Sequence, residues 1–308
     1  MSLYPHPAFE AHPDRGPIPA FPDVALRHGQ GPARSPGRDY GVRMQAMAER
    51  TAELLAAYDE QLRGAAEAQA SPAVELDGPI VRVHYPLRGF VSYRSLTGLD
   101  DQEIDALVAA QVEHFGARGE AFEWKTRGHD QPADLPARLL AAGFVPEEQE
   151  TVLIGVAARL GGAPLLPAGV TLRAITSETD LGRIAAMESQ VWGEDRSWLV
   201  QDLGERMAAN PGDLEVTAAE ARGEVVSAAW LVFKPGTEFA GLWGGSTLAA
   251  WRGKGIYRAL VAHRAQRAVV RGVRYLQVDA SANSRPILQR LGFVAITTTT
   301  PYIWTPPG

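Results

Sequence analysis

Arg252-Gly253-Lys254-Gly255 lies where an alternating apolar run, ending near Leu248, gives way to helical spacing from Ile256. The first amides of a helix have no internal partners and carry the positive end of its dipole. Glycines remove side chains that would block the backbone, and Arg252 and Lys254 add charge. Such a turn suits a phosphate or pyrophosphate. A plain helix cap with two solvated basic residues is the alternative. Two nucleotide motifs are excluded. The four-residue spacing before Gly-Lys-Ser/Thr of a Walker A loop is absent. A dinucleotide fingerprint needs a glycine three residues after Gly255, where Arg258 stands.

The elements that must position this turn follow from apolar periodicity. From Val170 the chain reads as a strand, "VTLRAI", then helices over Leu181–Trp192 and Ser197–Ala209. Strands follow near Leu214–Ala219, Val225–Phe233 and Glu238–Leu248. A helix over about Ile256–Arg271 turns Tyr257, Leu260, Val261, Ala265, Ala268 and Val269 inward. Strand "VRYLQVDA", a short helix over Arg285–Leu291 and a last strand or two over Phe293–Trp304 complete the order βααβββαβαβ. That order is an α+β arrangement on a mixed sheet, not an alternating Rossmann unit.

Upstream, Met44, Met47, Ala48, Thr51, Leu54, Leu55, Tyr58 and Leu62 recur at three- and four-residue steps and predict an amphipathic helix. "PIVRVHYPLRGFVSYRSL" reads as two strands. A helix follows Asp100-Asp101, with Ile104, Leu107, Val108, Val112 and Phe115 on one face. "AFEWKT" is a strand, "DLPARLLAAGF" a short helix stopped by Gly143, and "ETVLIGV" another strand. Both halves thus close on strand, loop, short helix, Gly-Phe, strand, which reads as an internal duplication, with chance as the alternative. The expected division is a proline-rich arm at 1–38, holding eight of the 22 prolines, a domain at 39–160, a linker "GGAPLLPAG" at 161–169, and a domain at 170–308.

Composition bounds the function. With 308 residues and a formal charge of −6, the chain is expected to have no nucleic-acid or membrane partner. It has no cysteine, which excludes disulfides, zinc-thiolate sites and a cysteine nucleophile and fits a cytoplasmic setting. The longest apolar run, Val225–Phe233, is strand-sized, and no secretory signal is visible.

At Arg252 and Gly255 the sequence resembles the GNAT superfamily of acyl-CoA-dependent N-acetyltransferases. Their signature is Arg or Gln, two residues, Gly, one residue, then Gly or Ala, at the start of the helix after the fourth strand. Tyr257 occupies the last small position. Leu291-Gly292-Phe293 match a later Leu-Gly-Phe, and the resemblance covers about 170–304. The first half resembles the later part of the same fold without the glycine turn. The resemblance implies a twisted mixed sheet flanked by helices, in two tandem halves of which the first is degenerate. It implies acetyl-CoA as co-substrate, no metal, and a small-molecule or peptide amine as acceptor, handled by a monomer or homodimer.

It also implies site residues. Arg252 and the amides of Gly253, Lys254, Gly255, Ile256 and Tyr257 would hold the CoA pyrophosphate. The strand edge at Ser246, Thr247 and Leu248 would pair with pantetheine where the fourth and fifth strands splay, and an amide near Ser246 or Thr247 would polarise the thioester. An asparagine common in the family falls on Ser281, with Asn283 two residues on. The family's tyrosine acid falls on Leu288, and its strand-four glutamate is missing from Trp243-Gly244-Gly245-Ser246. Asp279 and Tyr302 are therefore the expected proton-transfer residues. The acceptor site is expected at "ESQVWGEDRSW", where Glu188, Trp192, Glu194, Asp195 and Trp198, with Trp243 on the wall, suit a cationic amine. A non-catalytic acyl-CoA-binding module and a nucleotide-phosphate binder are the competing classes.

Overall fold

The computed structural model describes residues 36–68, 73–85 and 88–307. Of the expected arm, residues 1–35 lie outside the described residues, and Pro36 already opens a helix, where proline is tolerated. That helix, α1 (Pro36–Leu62), leads into a 3-10 turn (Gly64–Ala68). Then come β1 (Val74–Asp77), β2 (Ile80–His84), β3 (Gly89–Tyr93), α2 (Asp101–Ala117), β4 (Phe122–Arg127), α3 (Leu135–Ala141), β5 (Val145–Pro146), β6 (Glu150–Val156) and α4 (Ala157–Leu160). The second half holds β7 (Val170–Ile175), α5 (Glu178–Trp192), α6 (Trp198–Ala209), β8 (Leu214–Ala221), β9 (Glu224–Phe233), β10 (Phe239–Thr247), α7 (Ile256–Val270), β11 (Tyr275–Ala280), α8 (Arg285–Leu291) and β12 (Val294–Trp304).

The fold class is as expected: mixed α and β, with helices flanking one large mixed sheet. Leu54, Tyr58 and Leu62 of α1 pack on Val152, Ile154, Phe239 and Tyr275. Met44 and Met47 continue the same stripe but stay exposed. A 27-residue helix is about 40 Å long and overhangs strands of six or seven residues, which span about 20–23 Å.

The strand order is β1-β2-β3-β4-β12-β6-β11-β10-β9-β8-β7. Each half's last strand lies in the other half's part of the sheet. β6 pairs antiparallel with β11, Thr151–Val156 against Tyr275–Ala280. β12 pairs antiparallel with β4, Thr299–Trp304 against Phe122–Arg127. β6 and β12 then pair with each other at the centre. The two short helices feeding these strands end alike. Gly143 (φ 90°) and Gly292 (φ 106°) adopt the left-handed conformation that closes a helix C-terminus, and the next residue, Phe144 or Phe293, returns its amide to Leu139 or Leu288 at 3.1 Å. Both phenylalanines are buried.

One ion pair crosses this centre. Lys125 Nζ on β4 donates to Asp279 Oδ2 on β11 at 2.6 Å, and the Lys125 side chain is 0% exposed. Burial would lower the lysine's pKa, but Asp279, Glu150 and Glu123 outweigh it and raise it. Burial would likewise raise the Asp279 carboxyl, yet Lys125 holds it well below the usual carboxylate range. Removing one partner of a buried pair strands the other charge, whereas replacing both by apolar groups is far cheaper. Lys125→Ala is expected to cost about 3–5 kcal/mol in urea unfolding. Lys125→Met with Asp279→Leu should recover most of it.

Candidate functional site

β10 and β11 run parallel, and only Phe239–Gly241 pair with Tyr275–Gln277. Beyond Gly241, β10 follows β9 as far as Thr247, while β11 follows β6 as far as Ala280. The strands therefore part, as expected, and leave a wedge open at their C-terminal ends. The divergence has a local cause. The β9–β10 register slips between Gly244 and Ser246, a bulge that bends the strand. Gly244 (φ 64°) and Gly245 (φ 91°) both take left-handed conformations there. A Cβ on Gly244 would lie 2.6 Å from the Trp230 ring, and one on Gly245 2.8 Å from the Tyr257 ring. Tyr257, the departure from the motif, is thus accommodated by a glycine opposite. Arg264 braces the bulge from α7. It is buried, donates to the carbonyls of Trp243 (3.0 Å) and Trp230 (3.3 Å), and burial lowers its pKa to about 10.

After the bulge the chain forms the expected turn. Ala249–Trp251 make one 3-10 turn, with Leu248 N bound to Val226 O at 3.0 Å. Arg252 Nε donates to Thr247 O at 3.0 Å, which ties the turn to the strand end. Lys254 Nζ lies 4.7 Å from the Trp251 ring centroid. Gly253 (φ 74°) and Gly255 (φ 85°) are left-handed. The first internal bond of α7 runs from Ala259 N to Gly255 O at 3.0 Å, so the amides of Ile256, Tyr257 and Arg258 precede it. The first turn of α7 carries no acidic residue. The Ile256 side chain is core, which leaves only its amide for a ligand to reach. An added Cβ on Gly253 would meet open space. These features fit a phosphate-bearing ligand at the mouth of the wedge.

Glu188 sits against the other side of the bulge. It follows Leu181, Ile184 and Ala185 on the inward face of α5, a helix capped by Ser177 and stopped by Gly193 (φ 73°). Its Oε2 accepts from Ser246 Oγ at 2.8 Å and from Trp192 Nε1 at 2.7 Å. Its Oε1 is buried and has no hydrogen-bond partner among the described residues. Burial raises the carboxyl above its ordinary value of 4.5, only partly opposed by Ser246, Trp192 and Arg196. Ser246 O accepts from Ser227 Oγ at 2.6 Å, which in turn meets Thr247 Oγ1 at 2.9 Å.

The other expected residues divide. Asn283 is exposed in the loop between β11 and α8, at the wedge end of β11. Ser281 caps the start of that loop through Ser284. Leu288, at the family's tyrosine position, is fully buried core. Asp279 does not stand as a proton donor, because Lys125 and Gln277 (2.7 Å) hold its carboxylate ionised. Tyr302 belongs to another core. It lies on β12 opposite Trp124 of β4, and strand exchange has carried it to the first half's side of the sheet, with β6 and β11 between it and β10.

The acceptor cluster also differs from expectation. Arg196 lies over the rings of Trp192 (5.3 Å) and Trp198 (5.7 Å) and pairs with Glu194 at 2.5 Å, so the slot read as suited to a cation holds the chain's own guanidinium. Asp195 accepts from Ser197 N (2.9 Å) and Oγ (2.8 Å) and positions the start of α6. Trp243 packs against the core that includes Trp230. Glu188 was expected at the acceptor site, and Arg264 was not singled out; both interrupt apolar helical stripes, at positions where a polar side chain must find a buried purpose.

The first half repeats the wedge and fills it. β3 and β4 run parallel and pair only over Gly89–Val91 with Phe122–Trp124. Beyond, the 3-10 turn enters. Glu67 accepts from Ser92 Oγ and Arg127 Nη2, and Arg63 Nη2 donates to Tyr93 O at 3.3 Å. The helix that follows, α2, is closed by its own acids: Asp100 Oδ1 accepts from Glu103 N at 2.9 Å and Glu103 Oε2 from Asp100 N at 2.8 Å.

This geometry, a parallel pair splayed at a bulge beside an open helix start, agrees with the fold that the resemblance implied. The acetyltransferase (GNAT) domain profile matches residues 165–279, so that segment is similar to the GNAT family. No curated protein matches it in sequence. Among solved structures it resembles a GCN5-related N-acetyltransferase from Kribbella flavida (19% identity, 79% of this chain and 95% of that one, TM-score 0.61). It also resembles a tandem GNAT protein from the clavulanic acid biosynthesis pathway (14%, 83% and 96%, 0.58). A GCN5-related N-acetyltransferase from Sphaerobacter thermophilus is similar too (16%, 75% and 78%, 0.55). At these identities the likeness concerns the fold.

The fit at the bulge is testable. Gly245→Ala should destabilise the protein by about 1–3 kcal/mol, from the left-handed backbone and the Tyr257 contact together. Adding Tyr257→Ala should return only the contact's share, read as the shift in urea midpoint.

Proposed function

We propose that the chain transfers an acetyl group from acetyl-CoA to an amine, with Glu188 as the base. The observation that carries this reading is the Glu188 carboxylate. It is buried, raised in pKa, fixed through one oxygen to Ser246 at the bulge, and left with its other oxygen unpartnered. Residues Gly253–Tyr257 with Arg252 would hold the pyrophosphate, and β10 from Ser246 would face the pantetheine arm in the wedge. The amine attacks the thioester carbonyl, a C–N bond forms, and its proton passes to Glu188 Oε1 directly or through one water. The C–S bond then breaks. A thiolate whose free thiol has a pKa of about 8.5 leaves without an obligatory acid, which suits a site whose tyrosine position is the buried Leu288. The acceptor is a small-molecule or peptide amine, presented beside Arg196 rather than in its place. The first half is read as a tandem copy whose wedge is closed by Glu67 and Arg63.

Thiol release from acetyl-CoA across a panel of amines tests the activity. Glu188→Gln is expected to lower kcat by about 10²–10⁴-fold, with CoA affinity unchanged within about twofold. The base works ionised, so the wild-type rate should fall as pH drops through a carboxyl pKa lying above 4.5, and that limb should vanish in Glu188→Gln. The folded state binds the Glu188 proton more tightly than the unfolded chain. Stability contributed by this group is therefore present below 4.5 and lost as pH rises through the raised value, so Glu188→Gln should be no less stable at pH 8. Gly255→Asp places a carboxylate at the start of α7 and should weaken CoA binding at least about tenfold, since a charge near a helix terminus and one displaced phosphate contact each count. A second reading, a non-catalytic acyl-CoA-binding module, is favoured by the buried Leu288. CoA binding with no thiol release from any amine would establish it in place of the first.

A further inference from the structure

The first half holds a cluster that the proposed chemistry does not use. Glu75 on β1, His84 on β2 and His114 near the end of α2 converge on one face of the hairpin at the edge of the sheet. The register explains the meeting. Glu75 stands opposite Arg82, so His84, two residues further along β2, shares its face. On α2, Gln111 bonds Arg82 Nε at 2.6 Å and Asp77 at 3.1 Å, and His114, three residues on, lies over the same stretch of hairpin.

The distances approach those of a coordination shell, with a different Glu75 oxygen facing each imidazole. His84 Nε2 and His114 Nε2 are 3.5 Å apart, His84 Nε2 and Glu75 Oε1 3.6 Å, and His114 Nε2 and Glu75 Oε2 3.7 Å. Ligand bonds of about 2.0–2.2 Å set at tetrahedral angles put donor atoms about 3.3–3.6 Å apart. The outer contacts agree. His84 Nδ1 lies 3.1 Å from Glu120 Oε2, and Arg118 binds the other oxygen of Glu120 at 3.0 Å. An ionised carboxylate only accepts, so Nδ1 donates to Glu120 and Nε2 is the ring nitrogen that faces His114 and Glu75. A carboxylate behind a metal-bound imidazole is the usual way such a ring is oriented. Arg82 approaches Glu75 at 3.8 Å, but its closer partners are Asp77 and Gln111. Glu75 is about half exposed, so water reaches the cluster.

We propose that His84, His114 and Glu75 bind one divalent transition-metal ion, of which zinc suits the two imidazoles and one carboxylate best, with water completing the tetrahedron. The ion pins the β1–β2 hairpin, the outer edge of the sheet, to α2. No group-transfer step is involved, and the site is independent of the acetyl-transfer reading.

The test uses the full chain, stripped with chelator and dialysed. Zinc should bind with one-to-one stoichiometry by calorimetry and raise Tm by about 4 °C or more at a hundredfold excess over Kd. Cobalt should give visible bands of tetrahedral intensity. His114→Ala and Glu75→Gln alter partly exposed side chains. Each should leave the metal-free melting curve in place and lose the zinc response and the cobalt bands. No zinc binding by the wild type would overturn the proposal. So would equal binding by His114→Ala, which would place the ion on other residues.

Discussion

Two strands that leave their own halves hold this protein together. β6 continues the sheet beside β11, and β12 continues it beside β4, so the wedge of the second half rests on a strand from the first. β11 can part from β10 because it is not an edge: its hydrogen bonds on the far side are satisfied by β6 through Ala280. Were that neighbour missing, a strand freed on one side would be free on both. The splay therefore depends on exchange as much as on the glycines of the bulge.

The same centre supports two wedges that differ in form. Each has a short parallel register of three residue pairs followed by a wedge. In the second half, the backbone around Gly253 and Gly255 leaves donors facing outward, with no acid in the first turn of α7. In the first half, a capping box binds the amides of Asp100 and Glu103, and its two acids add negative charge where a phosphate would come. Glu67, paired with Arg127 and Ser92, then fills the wedge with a charge network that is internally satisfied. Capping chemistry and one inserted turn are enough to separate an open wedge from a filled one.

Most of the architecture was legible in the chain. The order of strands and helices from Val170 onward follows from periodicity and from the glycines that end each helix, because a half-buried sheet and its helices must show their buried faces. The turn at 252–255 was readable for the same reason: glycine at a left-handed position leaves a mark in sequence. What escaped is what depends on partners distant along the chain. Nothing local says that β12 joins β4, so Tyr302 was expected in the second half's cleft and lies in the first half's core. Asp279 looks the same in sequence whether it faces a substrate or Lys125, 154 residues away. Arg196 escaped for another reason: its tryptophans are only four and two residues away, but the turn that folds it over both leaves no mark in the sequence. β1 and β5 were too short, at four and two residues, to show alternation.

Strand exchange also orders events during synthesis. β4 ends at Arg127, but the strand that covers its free side begins at Val294. A chain emerging from the ribosome at about 5–20 residues per second carries that uncovered strand for many seconds before its partner exists. β6 waits similarly for both of its neighbours. The first half is thus made early and finished late, and its unsatisfied edge is the stretch of the nascent chain that a chaperone has most reason to hold.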